Sequence, residues 1–154
     1  MQHAKSVVNA KSMSMIYAVI DTNVLVSAYL THNLSSATSR VVDALFRGRI
    51  CPLYNEEIMA EYEEVLSRPH FRIGNEQLEA LLAYIRKHGV ATERTPFEEL
   101  FVDEDDRVFY EVALTEEDSF LVTGNLKHYP VDPRVVTPAQ MVANTGGVEQ
   151  KVEQ

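Results

Sequence analysis

"AVIDTNVLVSAYL", residues 18–30, decides how the rest of the chain is read. An apolar run stops at Asp21, Thr22 and Asn23 follow, and apolar residues resume at Val24. The residues before the break, "IYAVI" (16–20), are apolar without alternation, the pattern of a strand buried on both faces of a parallel sheet. A carboxylate between two segments that favour burial has two explanations. It is a turn former or helix cap at the strand end, or it is one corner of a metal or phosphate site at the sheet edge.

Working outward, "SSATSRVVDALFRG" opens on serine cap candidates, carries apolar residues at helical spacing and stops at Gly48, which predicts a helix. "RICPLY" follows as a strand. "NEEIMAEYEEVLSRP" predicts a helix capped by Asn55, with acids in the first turn and an end before Pro69. "NEQLEALLAYIRKHG" predicts another, capped at Asn75 and closed by Gly89, with a short strand around residues 90–92. "DEDDRVFYEVALTEE" reads as a helix over 106–115 with an acidic entrance, "SFLVTGN" as a strand, and "RVVT" (134–137) as a weaker strand before a short helix at "PAQMVAN". Strands alternating with helices predict an α/β domain with a mainly parallel sheet. Ligands in such sheets bind beyond the carboxyl ends of the strands, near a topological switch point. Asp21 and Asn125 both fall there.

A chain of 154 residues fits one domain. The hydrophobic fraction of 45% and charged fraction of 24% are those of a globular protein, not a disordered one. A lone cysteine, Cys51, excludes an intramolecular disulfide and a cysteine zinc cluster, and fits a cytoplasmic location. No apolar run approaches the roughly 18 residues of a membrane span, so no membrane association is expected. Residues 1–14 lack the apolar core of a secretory signal and read as an N-terminal extension, with Met15 as a candidate start. The domain is placed at 15–143, and the polar tail 144–154 is expected to fray. The net charge of −9 excludes a broad basic face for nucleic acid. It leaves two routes to a polyanion: carboxylates that hold a cation, or a partner that supplies basic surface.

Hard cations such as Mg²⁺ and Mn²⁺ take oxygen ligands, including one or two carboxylates plus water and phosphate. Candidate acids therefore lie at strand ends and on the borders of apolar helix faces. In the 55–67 helix, Ile58, Met59, Tyr62, Val65 and Leu66 form the apolar stripe. Glu61 and Glu63 border it on opposite sides, and periodicity does not choose between them. Near the 106–115 helix, Asp106 borders the stripe of Val108, Phe109, Val112 and Ala113. Helix capping alone accounts for one or two of the four acids in "DEDD". Their mutual repulsion favours a bound cation. The five histidines show no metal-ligand spacing, and no glycine-rich phosphate loop is present.

Taken together, "VIDTNVLVSA", "EEIMAEYEEVLSRPHF", "DEDDRVFYEVAL", "FLVTGNLKHY" and "VVTPAQMV" resemble the PIN-domain family over about residues 15–143, particularly its small bacterial branch of toxins from toxin–antitoxin pairs. The resemblance implies a three-layer α/β/α sandwich and a Mg²⁺- or Mn²⁺-dependent ribonuclease that leaves 5′-phosphate and 3′-hydroxyl ends. It implies Asp21, Glu61 (rather than Glu63) and Asp106 as catalytic metal ligands. A fourth aspartate is frequent in the family after "VTG". Here Asn125 stands there, which keeps an oxygen but removes a charge, with Asp103 or Asp105 as substitutes. Thr22, Asn23 and Asp105 are expected to support the ligands, and Arg68, Arg72, Lys127 and His128 to contact RNA phosphates. A cognate antitoxin and a homodimer are the implied partners, with the helical hairpin at 56–88 as the surface. The main rival is a PIN-like domain without catalysis that binds a protein or RNA. A phospho-receiver domain would want a pair of acids after the first strand, and a haloacid-dehalogenase-type phosphatase would want Asp at position 23.

Overall fold

The structure is a computed structural model that describes residues 15–147; the extension at 1–14 and residues 148–154 of the tail lie outside the described residues. Five strands, β1 (Ile16–Ile20), β2 (Ile50–Tyr54), β3 (Val90–Ala91), β4 (Phe120–Val122) and β5 (Val135–Val136), form one sheet in the order β3-β2-β1-β4-β5. Every pairing is parallel. Six α-helices accompany them: α1 (Thr22–Leu30), α2 (Ala37–Phe46), α3 (Glu56–Leu66), α4 (Asn75–His88), α5 (Arg107–Thr115) and α6 (Pro138–Val142). One helical group joins α2 to α6; the other joins α3 to α4 and α5, which pack on β1 and β2. The result is the expected α/β/α sandwich.

β1 is central, and Ala18, Val19 and Ile20 are almost wholly buried. Burying a Val or Ile side chain contributes about 1.5–3 kcal/mol, so the strand's unbroken apolar run is what holds it between two helical layers. Its neighbours are β2 and β4, which lie on opposite sides in the strand order and far apart in sequence. The crevice beyond the ends of β1 and β4 is therefore the switch point, and Asp21 and Asn125 flank it.

Most helix signals act as read. Ser36 accepts from the Ser39 amide at 3.2 Å, Asn55 from the Ile58 amide at 2.8 Å, and Gly48 closes α2 with a φ of 79°. Gly89 at the end of α4 is required for space, since a Cβ there would lie 2.5 Å from the Pro52 carbonyl oxygen. One cap differs: Asn75 is the first helical residue and Gly74 the cap, its amide donating to Gln77 Oε1 at 3.3 Å. Pro52 sits within β2 because pairing with β3 begins one residue later, at Leu53.

Among the described residues, packing continues past 143. Thr145 is buried, its hydroxyl donates to the Val142 carbonyl, and its own carbonyl accepts from Arg49. None of the large exposed apolar side chains among the described residues lies in the 56–88 hairpin; the most exposed are Leu34, Leu100, Val102 and Val131. No helix among the described residues is long and apolar enough to cross a membrane.

Candidate metal centre

Asp21 directly follows β1 at the N-cap position of α1, yet its carboxylate is not spent on the helix alone. Its Oδ2 instead accepts from the hydroxyls of Thr123 at 2.8 Å and Tyr129 at 3.0 Å, and from Asn23 Nδ2 at 3.5 Å. Thr123 follows the last residue of β4, so these bonds tie the two strand ends at the switch point together. Asn23 strengthens the tie, because its Oδ1 accepts from the Gly124 amide at 3.3 Å. Asp21 is 5% exposed. Burial pushes its carboxyl above the ordinary range, against the opposing pull of Thr123, Tyr129 and the amides of Asn23 and Thr22.

α3 supplies the second acid. Tyr62 is buried in the apolar stripe, and its hydroxyl donates to the Ile20 carbonyl at 2.5 Å. That bond pins the middle of α3, next to Glu61, to the residue before Asp21. Glu61 Oε2 accepts from Thr22 Oγ1 at 2.8 Å, while Glu63 is exposed. Of the two glutamates that periodicity left open, Glu61 lines the cleft and Glu63 does not. Burial raises its carboxyl, Thr22 pulls it down, and the charges of Asp21, Asp105 and Asp106 add to the rise.

The third group comes from two short 3₁₀ turns. One spans Glu104–Asp106, with Asp103 as its cap; the other spans Leu126–His128, led by Asn125. Residues three apart eclipse one another in a 3₁₀ turn. Asp103 and Asp106 therefore share one side of the first turn, and Asn125 and His128 one side of the second. All four line the same cleft of about 430 Å³ with Asp21, Thr22, Asn23 and Glu61. Asp105, expected to support the ligands, does not line it. It is exposed, and its amide donates to Asp103 Oδ1 at 3.0 Å. Asp103 lines the cleft where Asp105 does not.

Asp106 Oδ2 lies 3.0 Å from His128 Nδ1. Its carboxyl is pushed up to about 6, first by burial and then by the Asp21 charge, with His128 pulling the other way. Asp103, Asp106 and His128 offer one ligand atom each within 4.8 Å of one another. Asp21, Glu61 and Asp106 share the cleft but are not grouped that closely as a trio; Thr123 and Tyr129 engage Asp21, and Thr22 engages Glu61.

The donor set fits a hard divalent cation. Three carboxylates, Asp21, Glu61 and Asp106, converge with the amide of Asn125, and no lysine or arginine lines the cleft among the described residues. Burial, reinforced by the neighbouring carboxylates at Glu61 and Asp106, is why all three carboxyl groups are raised rather than lowered.

The expected phosphate contacts separate. His128 is in the cleft. Arg68 is exposed and engaged with Glu64 at 2.9 Å, Arg72 is exposed in the left-handed backbone region at φ 59°, and Lys127 is exposed on the second turn. None of the last three lines the cleft. Thr123, Tyr129 and Tyr62 escape the sequence reading as parts of the centre. A polar residue closing an apolar strand was the available signal for Thr123; for the two tyrosines no local signal exists.

Behind the cleft, the segment between β3 and α5 is fastened by Glu111, a buried acid on α5. Its oxygens accept from Arg94 Nε at 2.8 Å and the Phe97 amide at 2.9 Å. Arg107 donates to the Phe97 and Glu99 carbonyls. This lays Phe101 edge-on to Tyr129, with ring centroids 5.9 Å apart. The packing helps hold the Tyr129 hydroxyl on Asp21.

Comparison with known proteins adds one finding. A family profile described as PIN domain matches residues 17–127, from β1 through the second 3₁₀ turn; no curated protein matches. The profile covers well over half of the chain and includes all three carboxylates, so the chain belongs to the PIN-domain family, whose members share a nuclease-type fold and are in general metal-dependent nucleases.

Proposed function

We propose that the protein is a Mg²⁺- or Mn²⁺-dependent endoribonuclease acting on single-stranded RNA. The observation that carries this is the convergence of Asp21, Glu61 and Asp106 at the switch point, with no lysine or arginine lining the cleft among the described residues. A bound divalent cation supplies Lewis acidity, polarising a phosphodiester and lowering the pKa of water.

The chain's own residues do the rest. Asp21, Glu61 and Asp106 hold the cation, and Asn125 adds a neutral oxygen. Thr123 and Tyr129 orient the Asp21 carboxylate, and Thr22 orients Glu61, as partners of ligating groups do. Burial raises both the Tyr129 and Tyr62 hydroxyls, and neighbouring carboxylates raise them further, so both remain protonated donors at neutral pH. The cation also reconciles an acidic chain with a polyanionic substrate. Lys127 and, once released from Glu64, Arg68 are the nearest candidates for phosphate contact outside the cleft.

We extend the proposal to the biological role: the toxin of a toxin–antitoxin pair, cytoplasmic, restrained by a cognate antitoxin and homodimeric. The second reading, a PIN-like domain that only binds, has one observation in its favour, Asn125 in place of a fourth acid. The intact trio of carboxylates favours catalysis.

The test is incubation of labelled single-stranded RNA with wild-type protein and with Asp21→Asn. Asparagine keeps an acceptor for Thr123 and Tyr129, so the variant is expected to fold. Cleavage by wild type in Mg²⁺ or Mn²⁺, lost in the variant and in excess chelator, supports the proposal. Equal cleavage in the variant or in chelator overturns it, and wild type that binds RNA without cutting it establishes the rival.

A further inference from the structure

We propose that His128 is a metal ligand of this centre, a nitrogen donor that takes the place of the fourth carboxylate and tunes the site towards a transition ion such as Mn²⁺ over Mg²⁺. The proposal rests on the reading of the cleft as a metal centre.

The argument begins with the second 3₁₀ turn. Asn125 and His128 are three residues apart and line the cleft together, as Asp103 and Asp106 do on the opposing turn. A turn led by a neutral amide thus delivers a second donor, one repeat later, to the same space. His128 is not a remote surface group: its ring is 36% exposed, and the Asp106 side chain against it is 14% exposed.

Geometry agrees. His128 Nδ1 and Asp106 Oδ2 are 3.0 Å apart. Adjacent ligands of a six-coordinate ion with bonds of about 2.0–2.2 Å are separated by about 3 Å, so both atoms can serve one ion with little movement. Asp103 completes a trio within 4.8 Å. The 3.0 Å separation also fits an Asp–His hydrogen bond, and the test must tell the two apart.

Ligand chemistry gives the selectivity. Mg²⁺ favours an all-oxygen octahedron, whereas an imidazole nitrogen among carboxylates suits first-row transition ions, whose affinities rise along the series. An all-carboxylate version of the centre would bind either ion through oxygen alone. Replacing a carboxylate by Asn125 and adding His128 lowers the negative charge that attracts Mg²⁺ and adds the donor that Mg²⁺ uses poorly.

The experiment uses the full-length protein with one equivalent of Mn²⁺ and reads ¹⁴N coupling by pulsed electron paramagnetic resonance, alongside calorimetric affinities for Mn²⁺ and Mg²⁺. Two variants accompany it, His128→Asn and His128→Asp, with folding checked by circular dichroism. Wild type is expected to show imidazole ¹⁴N coupling that both variants lose. It is also expected to prefer Mn²⁺ over Mg²⁺ by about tenfold or more, a preference that shrinks in His128→Asp, where the ligand is oxygen again. If Mn²⁺ binds in an Asp21- and Asp106-dependent way without ¹⁴N coupling, or with coupling that persists in His128→Asn, the inference is overturned while the metal centre stands. If no Mn²⁺ binds at millimolar concentration, the metal-centre reading falls and the inference with it.

Discussion

The Tyr62 hydroxyl donates to the carbonyl of Ile20 at 2.5 Å, and this one bond sets where Glu61 stands relative to Asp21. Tyr62 is a core residue of α3, and Ile20 is the last residue of β1. Their neighbours in sequence are the two acids. Tyr62→Phe removes the donor and leaves the buried carbonyl without that partner, a cost of about 1–3 kcal/mol. Chemical denaturation should show the loss with an unchanged slope, and Mn²⁺ affinity should fall as well, because Glu61 is no longer pinned.

Glu61 and Glu63 differ by two residues and by their surroundings. Glu61 faces the cleft and bonds Thr22; Glu63 is exposed. Glu61→Gln should weaken divalent-ion binding by about tenfold or more, on the scale expected when a metal site is disturbed, and Glu63→Gln should leave it unchanged. Calorimetric titration decides, and the reverse pattern would reassign the second acid.

The raised acids give the metal-free protein an unusual pH dependence. In the folded chain Asp106 titrates at about 6, against an ordinary value of 3.8. Between those values the native state holds a proton that the unfolded state has released, so stability falls as pH rises. The contribution is fully present below about 4 and lost once pH passes about 6. Asp21 and Glu61 are shifted in the same direction. Denaturation in chelator should therefore show lower stability at pH 7.5 than at pH 5, with a smaller difference in Asp106→Asn. Added Mn²⁺ should restore stability at pH 7.5, since it binds the native state selectively.

Glu111 tests the support behind the cleft. Glu111→Ala strips the acceptor from Arg94 Nε and the Phe97 amide and should cost about 1–3 kcal/mol, the penalty of a buried donor left unpaired, since Arg94 keeps Glu57. Hydrogen exchange should speed up around residues 95–101. Glu111→Gln keeps an acceptor for the Phe97 amide and should lose less.

The sequence made the centre's first corner legible because a strand buried on both faces leaves no polar residue unexplained. Asp21 stood out for that reason, and the helix carrying Glu61 showed its stripe plainly. The helix at 22–30 was legible only as an apolar segment: seven of its nine residues are apolar or small, so no polar face marks the period. Partners that depend on tertiary approach stayed hidden. Nothing local in "KHYP" says that Tyr129 reaches Asp21, 108 residues away, or that His128 meets Asp106. Glu111 carries no local signal of its role, since its partners Arg94 and Phe97 lie in a segment without periodicity. The choice of Asp103 over Asp105 likewise needed the backbone, because it follows from the threefold repeat of a 3₁₀ turn rather than from composition.

The most direct measurement is anomalous scattering from crystals of the protein grown or soaked with Mn²⁺. A peak is expected in the cleft, within ligand distance of Asp21, Glu61 and Asp106, and absent from crystals of Asp21→Asn. No peak there at millimolar Mn²⁺, or an equal peak in the variant, would contradict the metal centre on which the proposed ribonuclease depends.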